Sequence, residues 1–218
     1  MKRISIFKKK TLTSYEIPNG EKHIIDKAFL NCKNLKKVVI PNSVRSIGES
    51  AFKNCRSLKS ITIPYGVKSI GSDAFCWCSS LTSIEIPDSV TSIGNAAFIY
   101  CLSLTSVTIG NRVASIGNAA FNSCASLKSI VVDSNNEYYD SRNNCNAIIK
   151  TSTNTLIQGC KNTIIPDSVT SIGEFAFFGC SPLLDVYYKG TEEQWNAITI
   201  GGFNEDLTEA TIHYNYKG

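Results

Sequence analysis

Few side chains in the chain have a type and spacing that could support catalysis. Cys76 and Cys78 flank Trp77 and are the closest pair among the nine cysteines. A metal or redox site would instead need C-x₂-C spacing with further cysteines or histidines nearby. We therefore interpret Cys78 as a core residue and leave Cys76 as a candidate exposed, reactive thiol.

The other candidate groups also have plainer explanations. Glu192 and Glu193 are adjacent at the start of a predicted helix, so they do not face each other, and each suits the positive end of that helix. Every glycine of the recurrent S-I-G motif stands alone, which excludes a phosphate-binding loop. The run Lys8-Lys9-Lys10 could contact an anionic polymer or a membrane, but a solvated terminus is the favoured reading. We expect no catalytic, cofactor or metal site.

Composition indicates a folded chain. Of its 218 residues, 43% are apolar and 18% charged, which is too hydrophobic for a disordered protein. The net charge of +4 does not indicate a nucleic-acid binder. No apolar run approaches the roughly 18 residues of a membrane span, and Ile4 to Phe7 is too short for a signal peptide. As written, the chain is expected to be soluble, unexported and monomeric.

A repeat of 23 residues organises most of the sequence. Its template is I-P-x-x-V-x-S-I-G-x-x-A-F-x-x-C-x-x-L-x-S-I-x, and such a period is typical of leucine-rich-repeat solenoids. The expected organisation is a single domain over 1–218: a basic segment and cap at 1–16, five repeats at 17–131, a divergent coil with a β-hairpin at 132–164, another repeat at 165–187, and a C-terminal cap at 188–218.

Each template position predicts a structural role. Alternation in L-x-S-I-x-I predicts a strand that stacks in parallel on its neighbours, and the following proline ends the pairing. The spacing of A-F-x-x-C suggests one helical turn with an apolar face inward. The glycine of S-I-G marks an unusual backbone conformation or a close approach. His23 and His213 then lie about 40 Å apart, at roughly eight strand spacings, and cannot share a site.

Six cysteines occupy one template column, which predicts small hydrophobic residues in the interior. Side chains in such a column run parallel and do not converge as a disulfide requires. We expect reduced, inaccessible thiols at Cys32, Cys55, Cys78, Cys101, Cys124 and Cys180. The orientation of Cys76, Cys145 and Cys160 stays open.

The divergent coil and the C-terminus depart from the template. Ala147 to Lys150 and Thr155 to Gln158 flank a polar turn, which predicts a β-hairpin protruding from the stack. Asp133 to Asn146 is predicted to be a surface loop. We expect the stack to stay folded when this insert is shortened. Thr191 to Gln194 matches a capping box that opens a short helix, and Ala210 to Tyr214 indicates a last strand.

Units such as IPDSVTSIGNAAFIYCLSLTSVT closely resemble the BspA-like leucine-rich repeats, as do the segments NAII…TLIQGCKNTIIP and YYKGTEEQWNAI…ATIHYN. The resemblance covers nearly the whole chain and implies an α/β solenoid: a right-handed superhelix with a parallel sheet on its concave face, short helical or extended returns, one inserted hairpin and a C-terminal cap. It also implies display on a cell surface and binding to host proteins. Glu21 and Ile25 depart from the template valine and glycine, and no export signal is visible.

The predicted function is non-catalytic protein recognition, in adhesion or host-protein binding. The candidate surface combines the concave strand face with the insert. Its candidate residues are Ser83, Glu85, Ser106, Thr108, Tyr138, Tyr139 and Arg142. The two tyrosines could equally pack under the loop. The expected partner is a protein such as an extracellular-matrix component, and the competing hypothesis is a structural spacer without a ligand of its own.

Overall fold

The chain winds into a solenoid in which successive coils stack through parallel strands. The computed structural model describes residues 11–218, so most of the predicted basic segment lies outside the described residues. Each regular coil contributes two strand positions, and the predicted solenoid is confirmed. None of the helices within residues 11–218 has the length and hydrophobicity that a membrane-spanning helix requires.

The first set of strands, here called the face ladder, corresponds to the predicted L-x-S-I-x-I strands. Its strands alternate exposed and buried side chains, as β6 shows with the pattern Ser83 out, Ile84 in, Glu85 out and Ile86 in. They form three parallel sheets. The strands are β1 (Ser14–Glu16) with β3 (Lys37–Val39); β6 (Ser83–Ile86), β8 (Ser106–Ile109) and β10 (Ser129–Val132); and β14 (Ile164–Ile165), β16 (Asp185–Tyr188) and β18 (Thr211–His213).

The second set, the S-I-G ladder, was not predicted as a sheet. Its strands in the regular coils are only two residues long, too short to show alternation in the sequence. One sheet joins β2 (His23–Ile24), β4 (Ser46–Ile47), β5 (Ser69–Ile70), β7 (Ser92–Ile93) and β9 (Ser115–Ile116). Another joins β11 (Tyr139–Asp140), β12 (Ile148–Lys150), β13 (Thr155–Gln158), β15 (Ser171–Ile172) and β17 (Thr199–Ile200).

The core is a set of columns that run along the stack. Phe75 lies between Phe52 and Phe98, with ring centroids 5.1 Å away on each side and the rings nearly parallel. All three rings are fully buried. Because every coil supplies the same side chains, each ring is packed by copies of itself, and no coil could bury its apolar face alone.

The predicted helical turn at A-F-x-x-C is wrong. Ala96 and Tyr100 have positive φ values of 53° and 59°, which interrupt any helix. The main-chain N–H of Phe98 donates to the carbonyl of Ala120 in the next coil at 2.8 Å. The A-F-x-x-C segment therefore consists of turns whose hydrogen bonds join one coil to the next. The short distance between coils favours these bonds over the hydrogen bonds of a helix within one coil.

The glycine of S-I-G is explained by close approach. At Gly94, a Cβ atom would lie 2.4 Å from the main-chain nitrogen of Ser72 in the preceding coil. Gly94 is not among the residues with positive φ. Of the two predicted explanations, close contact between coils is therefore the correct one at this position.

The insert lies inside the stack, so the prediction of a protruding hairpin is wrong. Strands β12 and β13 are antiparallel as predicted, but β13 also pairs in parallel with β15. Ile149 and Leu156 are fully buried. The hairpin thus occupies the place of a coil in the S-I-G ladder.

The segment Asp133 to Asn146, predicted to be a surface loop, is also partly internal. It contains β11 and a 3₁₀ turn over Arg142–Asn144. Asn136 is buried, and its side-chain amide donates to the carbonyls of Gly110 and Val113 at 2.9 and 3.1 Å. These bonds attach the segment to the preceding coil.

The predicted C-terminal helix and last strand are both confirmed. Helix α1 (Glu192–Asn196) begins with the predicted capping box between Thr191 and Gln194, and it buries Trp195. Helix α2 (Glu205–Thr208) follows β17, and β18 is the predicted last strand. The N–H of Phe177 donates to Asn204 Oδ1 at 2.9 Å, which ties this end to the last regular coil.

Candidate functional site

The face ladder brings four of the predicted site residues together. In the pairing of β6 with β8, Ser83 aligns with Ser106 and Glu85 aligns with Thr108. Ser83, Glu85 and Thr108 are exposed and Ser106 is half-buried. We call the outward side chains of the face ladder the strand face. Near these residues it is flat and polar, because the side chains are short and stand in register.

A cavity interrupts the strand face beside β6. It has a volume of about 290 Å³ and lies between residues 60–63 and β6; we call it the face slit. Within residues 11–218, no backbone hydrogen bond joins Ile61, Thr62 or Ile63 to a neighbouring coil. The residues that line the face slit are Ser60, Ile61, Thr62, Ile63, Ser83, Glu85 and Pro87.

Proline removes one backbone hydrogen bond at the slit. Where Gly110 and Asp133 follow a face strand, their N–H groups donate to Ile86 and Ile109 at 2.9 and 2.8 Å and close the end of the ladder. Pro87 occupies the equivalent position after β6 and has no N–H to donate. The backbone bond from Thr82 N–H to the carbonyl of Lys59, at 3.2 Å, remains at this junction. The sequence showed these prolines as strand ends, but it did not show where the sheet opens, since β3 precedes Pro41 and still pairs with β1.

An aromatic group at the other end of the strand face was missed in the sequence. The Tyr187 ring stacks on His213 at 5.0 Å and contacts the ring of Tyr216 at 4.5 Å. His213 Nε2 lies 2.7 Å from a carboxylate oxygen of Asp185. The register of β16 with β18 creates this group. The sequence indicated this pairing through the alternating side chains of Thr211 to His213, which match the alternation in β16. The two strands are not separated by the template offset of 23 residues, which obscured the match.

The predicted site residues of the insert have different positions. Tyr139 is buried, and its hydroxyl oxygen accepts a hydrogen bond from the N–H of Ile116 at 3.1 Å. Arg142 pairs with Asp140 at 2.6 Å and donates to Asn154 Oδ1 at 2.9 Å. The hydrogen bond with Asp140 raises the pKa of Arg142, which keeps the guanidinium charged. Both side chains hold the insert in place.

Tyr138 is the accessible member of the insert group, with 48% of its surface exposed. It lines a cavity of about 410 Å³ between the insert and the turn at Asn111 and Arg112. The side-chain oxygen of Asn111 is buried without a hydrogen-bond partner among the described residues. The insert hairpin pairs in the S-I-G ladder, so the structure does not place Tyr138 beside the residues of β6 and β8.

All nine cysteines are buried, and none of them forms a disulfide in the described chain. In the template column, the thiol of Cys78 donates to the carbonyl of Phe52, and that of Cys101 to Phe75, each at 3.3 Å. A small apolar side chain with a weak donor therefore suits this column. The expectation that Cys76 is exposed is wrong, because only 3% of its surface is accessible. Burial raises its pKa to about 11, although Lys53 nearby lowers it.

These thiols should be unreactive in the native protein. With a pKa of about 11, Cys76 is about one part in a thousand thiolate near pH 8, and the thiolate is the nucleophile. We expect native protein to react with less than one equivalent of a thiol reagent, and denatured protein to react with nine, without added reductant. Rapid reaction of native Cys76, or fewer than nine thiols after unfolding, would contradict this.

The described residues do not form a catalytic constellation from the predicted candidates. His23 lies in β2 and His213 in β18, at opposite ends of the stack. Within residues 11–218, no three histidine, cysteine, aspartate or glutamate side chains are grouped so that they could hold a metal ion. What the geometry offers is a surface for contact.

Solved structures of bacterial leucine-rich-repeat proteins share this fold. A leucine-rich-repeat protein of T. pallidum is 26% identical, with a TM-score of 0.61, over 91% of this chain and 78% of that one. A leucine-rich cell surface protein of Faecalibacterium prausnitzii A2-165 is 28% identical, with a TM-score of 0.62, over 94% of this chain and 61% of that one. A leucine-rich-repeat protein of Eubacterium ventriosum ATCC 27560 is 22% identical, with a TM-score of 0.73, over 96% of this chain and 62% of that one.

The chain thus spans about three fifths of the length of two of these proteins. A comparison with curated proteins yields no match. The sequence profile of the BspA type leucine rich repeat region matches in six copies, over residues 3–128, 45–158 and 158–198. These ranges cover most of the described coils and the insert. The chain belongs to the BspA-type leucine-rich-repeat family.

Proposed function

We propose that the chain is a non-catalytic recognition module that binds a partner protein on its strand face. The observation that carries this proposal is the face slit, which opens a cavity of about 290 Å³ in the strand face beside the short side chains of β6 and β8. A slit of this kind can receive a protruding side chain of the partner. Ser83 and Glu85 line it, and Thr108 aligns with Glu85 on the next strand. All three are exposed and could hydrogen-bond the partner's main chain.

Two further observations support a binding surface. Aromatic residues supply much of the binding energy at protein interfaces, and the group of Tyr187, His213 and Tyr216 provides such residues on the same ladder. One of the similar proteins is described as a cell surface protein. We infer that the partner is an extracellular protein of the matrix type, and that recognition serves adhesion.

Tyr138 is assigned a secondary role in this proposal. Its exposed side chain lines the cavity that Arg112 also lines, and it could form a separate contact with a large partner. Tyr139 and Arg142 stabilise the insert through the contacts described above and are not assigned to binding.

The test is binding of the purified chain to a panel of extracellular-matrix proteins. We expect saturable binding at about micromolar concentration, typical of a transient complex. The variant Ser83→Trp with Thr108→Trp places bulk on the strand face and should weaken binding about tenfold or more, or about 1.4 kcal/mol. Both residues are exposed, so we expect the stack to remain folded.

The matched control is Ser152→Trp with Thr208→Trp, which adds the same side chains at exposed positions away from the strand face. Binding of this control should stay within about twofold of the original protein. Equal losses in both variants would contradict a site on the strand face. Absence of saturable binding to every protein of the panel would favour the spacer hypothesis.

A further inference from the structure

Five exposed cations cluster on two neighbouring coils next to the face slit. Lys33 and Lys36 are separated from Arg56 and Lys59, respectively, by the template offset of 23 residues. The same offset places Phe29 and Phe52 4.9 Å apart in the core. These charges therefore stand side by side along the stack. We call the group of Lys33, Lys36, Lys37, Arg56 and Lys59 the basic corner.

The charges of the basic corner are not neutralised by the described part of the chain. Other lysines of these coils have acidic neighbours, as Lys53 has Asp73 at 3.1 Å and Lys27 has Glu49 at 3.9 Å. No carboxylate of residues 11–218 lies within 4.0 Å of a cation of the basic corner. Like charges at about one strand spacing repel each other, so an incoming anion is attracted.

One of the five cations is held in position. The Arg56 guanidinium lies 5.5 Å from the centre of the Trp77 ring, and its Nε and Nη2 each lie 3.4 Å from Asn54 Oδ1. The Trp77 ring also stacks on the ring of Tyr100, with their centroids 4.4 Å apart. The guanidinium is therefore oriented before any ligand arrives, which lowers the entropy cost of binding.

The basic corner is continuous with the strand face. Lys59 immediately precedes Ser60 of the face slit, and Lys37 is the first residue of β3. The equivalent positions of the next coil are the neutral residues Ser79, Thr82 and Ser83. A polypeptide that lies on the strand face at the slit thus has this positive charge at one side, and neutral side chains at the equivalent positions of the next coil.

We infer that the segment recognised at this end of the strand face is an acidic stretch of the partner protein, with its carboxylates on the basic corner. This inference rests on the proposed function and specifies its partner. The strand face also carries the exposed acids Glu16 and Glu85. They would repel a uniformly charged polyanion such as a nucleic acid or a sulfated polysaccharide, whereas a peptide can match acidic residues to the corner and neutral or basic residues to the slit.

The test measures binding of a fluorescent glutamate-rich peptide by anisotropy at about 50 mM salt, where surface charges are weakly screened. The corner variant changes Lys33, Lys36, Lys37 and Lys59 to glutamine. The control changes the exposed Lys22, Lys68, Lys128 and Lys150 to glutamine and has the same net charge. We expect the corner variant to lose about tenfold in affinity, and the control less than about twofold.

Two outcomes would overturn the inference. Equal losses in the corner variant and the control would show that net charge alone attracts the peptide. Tighter binding of heparin or a thymidine oligonucleotide than of the peptide, lost in the corner variant, would assign the surface to another polyanion. A folding check by circular dichroism applies to both variants.

The matrix-protein panel separates failure of this inference from failure of the proposed function. If Ser83→Trp with Thr108→Trp abolishes matrix-protein binding but the corner variant leaves it unchanged, the strand face recognises its partner without an acidic segment and the inference is wrong. If no matrix protein binds while the glutamate-rich peptide still depends on the basic corner, the proposed function fails instead, and the acid-binding surface remains.

Discussion

Replacing Phe75 by alanine is expected to lower the free energy of unfolding by about 3–5 kcal/mol. The ring is fully buried and contacts Phe52 and Phe98 at 5.1 Å on its two sides. Alanine would remove both contacts and leave a cavity in the middle of the column. The neighbouring coils are joined by backbone bonds and cannot collapse into it fully. Denaturant unfolding followed by circular dichroism measures the change.

The control is Tyr65→Ala, because 71% of the Tyr65 surface is exposed. Its effect should stay within about 0.5 kcal/mol. Since coils contact mainly their neighbours, Phe75→Ala should also reduce cooperativity between the two halves of the stack. A loss below about 1 kcal/mol with unchanged cooperativity would contradict the role assigned to the phenylalanine column.

Removing the hairpin should disrupt the C-terminal half of the protein. A variant with residues 148–158 replaced by a short glycine-serine linker loses β12 and β13, and β15 then has no partner on that side. The buried side chains of Ile148, Ile149 and Leu156 are lost as well. At about 2–5 kcal/mol for each large aliphatic residue, the loss is comparable to the total stability of a typical domain.

Hydrogen exchange tests the hairpin prediction residue by residue. We expect amides of β15, β16 and β18 to exchange rapidly in the linker variant, while those of β5 and β7 stay protected. The control Ser152→Ala changes only an exposed residue of the hairpin turn and should leave protection unchanged. Protection of β15 and β16 in the linker variant would instead support the sequence-based expectation that the insert is dispensable.

The regular coils could be read from the sequence because each structural role recurs at the same offset. The buried phenylalanines and the cysteine column follow from repetition alone, since a residue type kept at every coil must meet its own copies in a stack. The β6 alternation of Ser83, Ile84 and Glu85 likewise showed which side chains face outward.

Features without a repeated copy were missed or misread. The insert occurs once, so nothing in the sequence showed that β13 would pair with β15. The buried state of Tyr139 depends on the N–H of Ile116, which is remote in sequence. At the face slit, Ile61, Thr62 and Ile63 form no backbone hydrogen bond to a neighbouring coil among the described residues, and a missing bond leaves no pattern in the sequence.

The basic corner shows a further limit of sequence reasoning. The lysines of these coils can be read from the sequence, but the sequence does not show which of them have carboxylate partners. Lys53 and Arg56 are three residues apart, yet within residues 11–218 Lys53 has a carboxylate partner, Asp73 in the next coil, and Arg56 has none. In a solenoid, whether a charged side chain is neutralised depends on residues one coil away.

The central claim is that the strand face binds the partner protein. Hydrogen exchange of the free chain, and of its complex with the matrix protein that binds in the panel, tests this claim most directly. In the free chain, amides of Thr62 and Glu85 at the face slit should exchange faster than those of Thr108 and Val131 in the continuous sheet. On complex formation, the account predicts new protection in residues 60–63, 83–86 and 106–109. New protection confined to the insert, residues 133–158, with the strand face unchanged, would contradict recognition on the strand face.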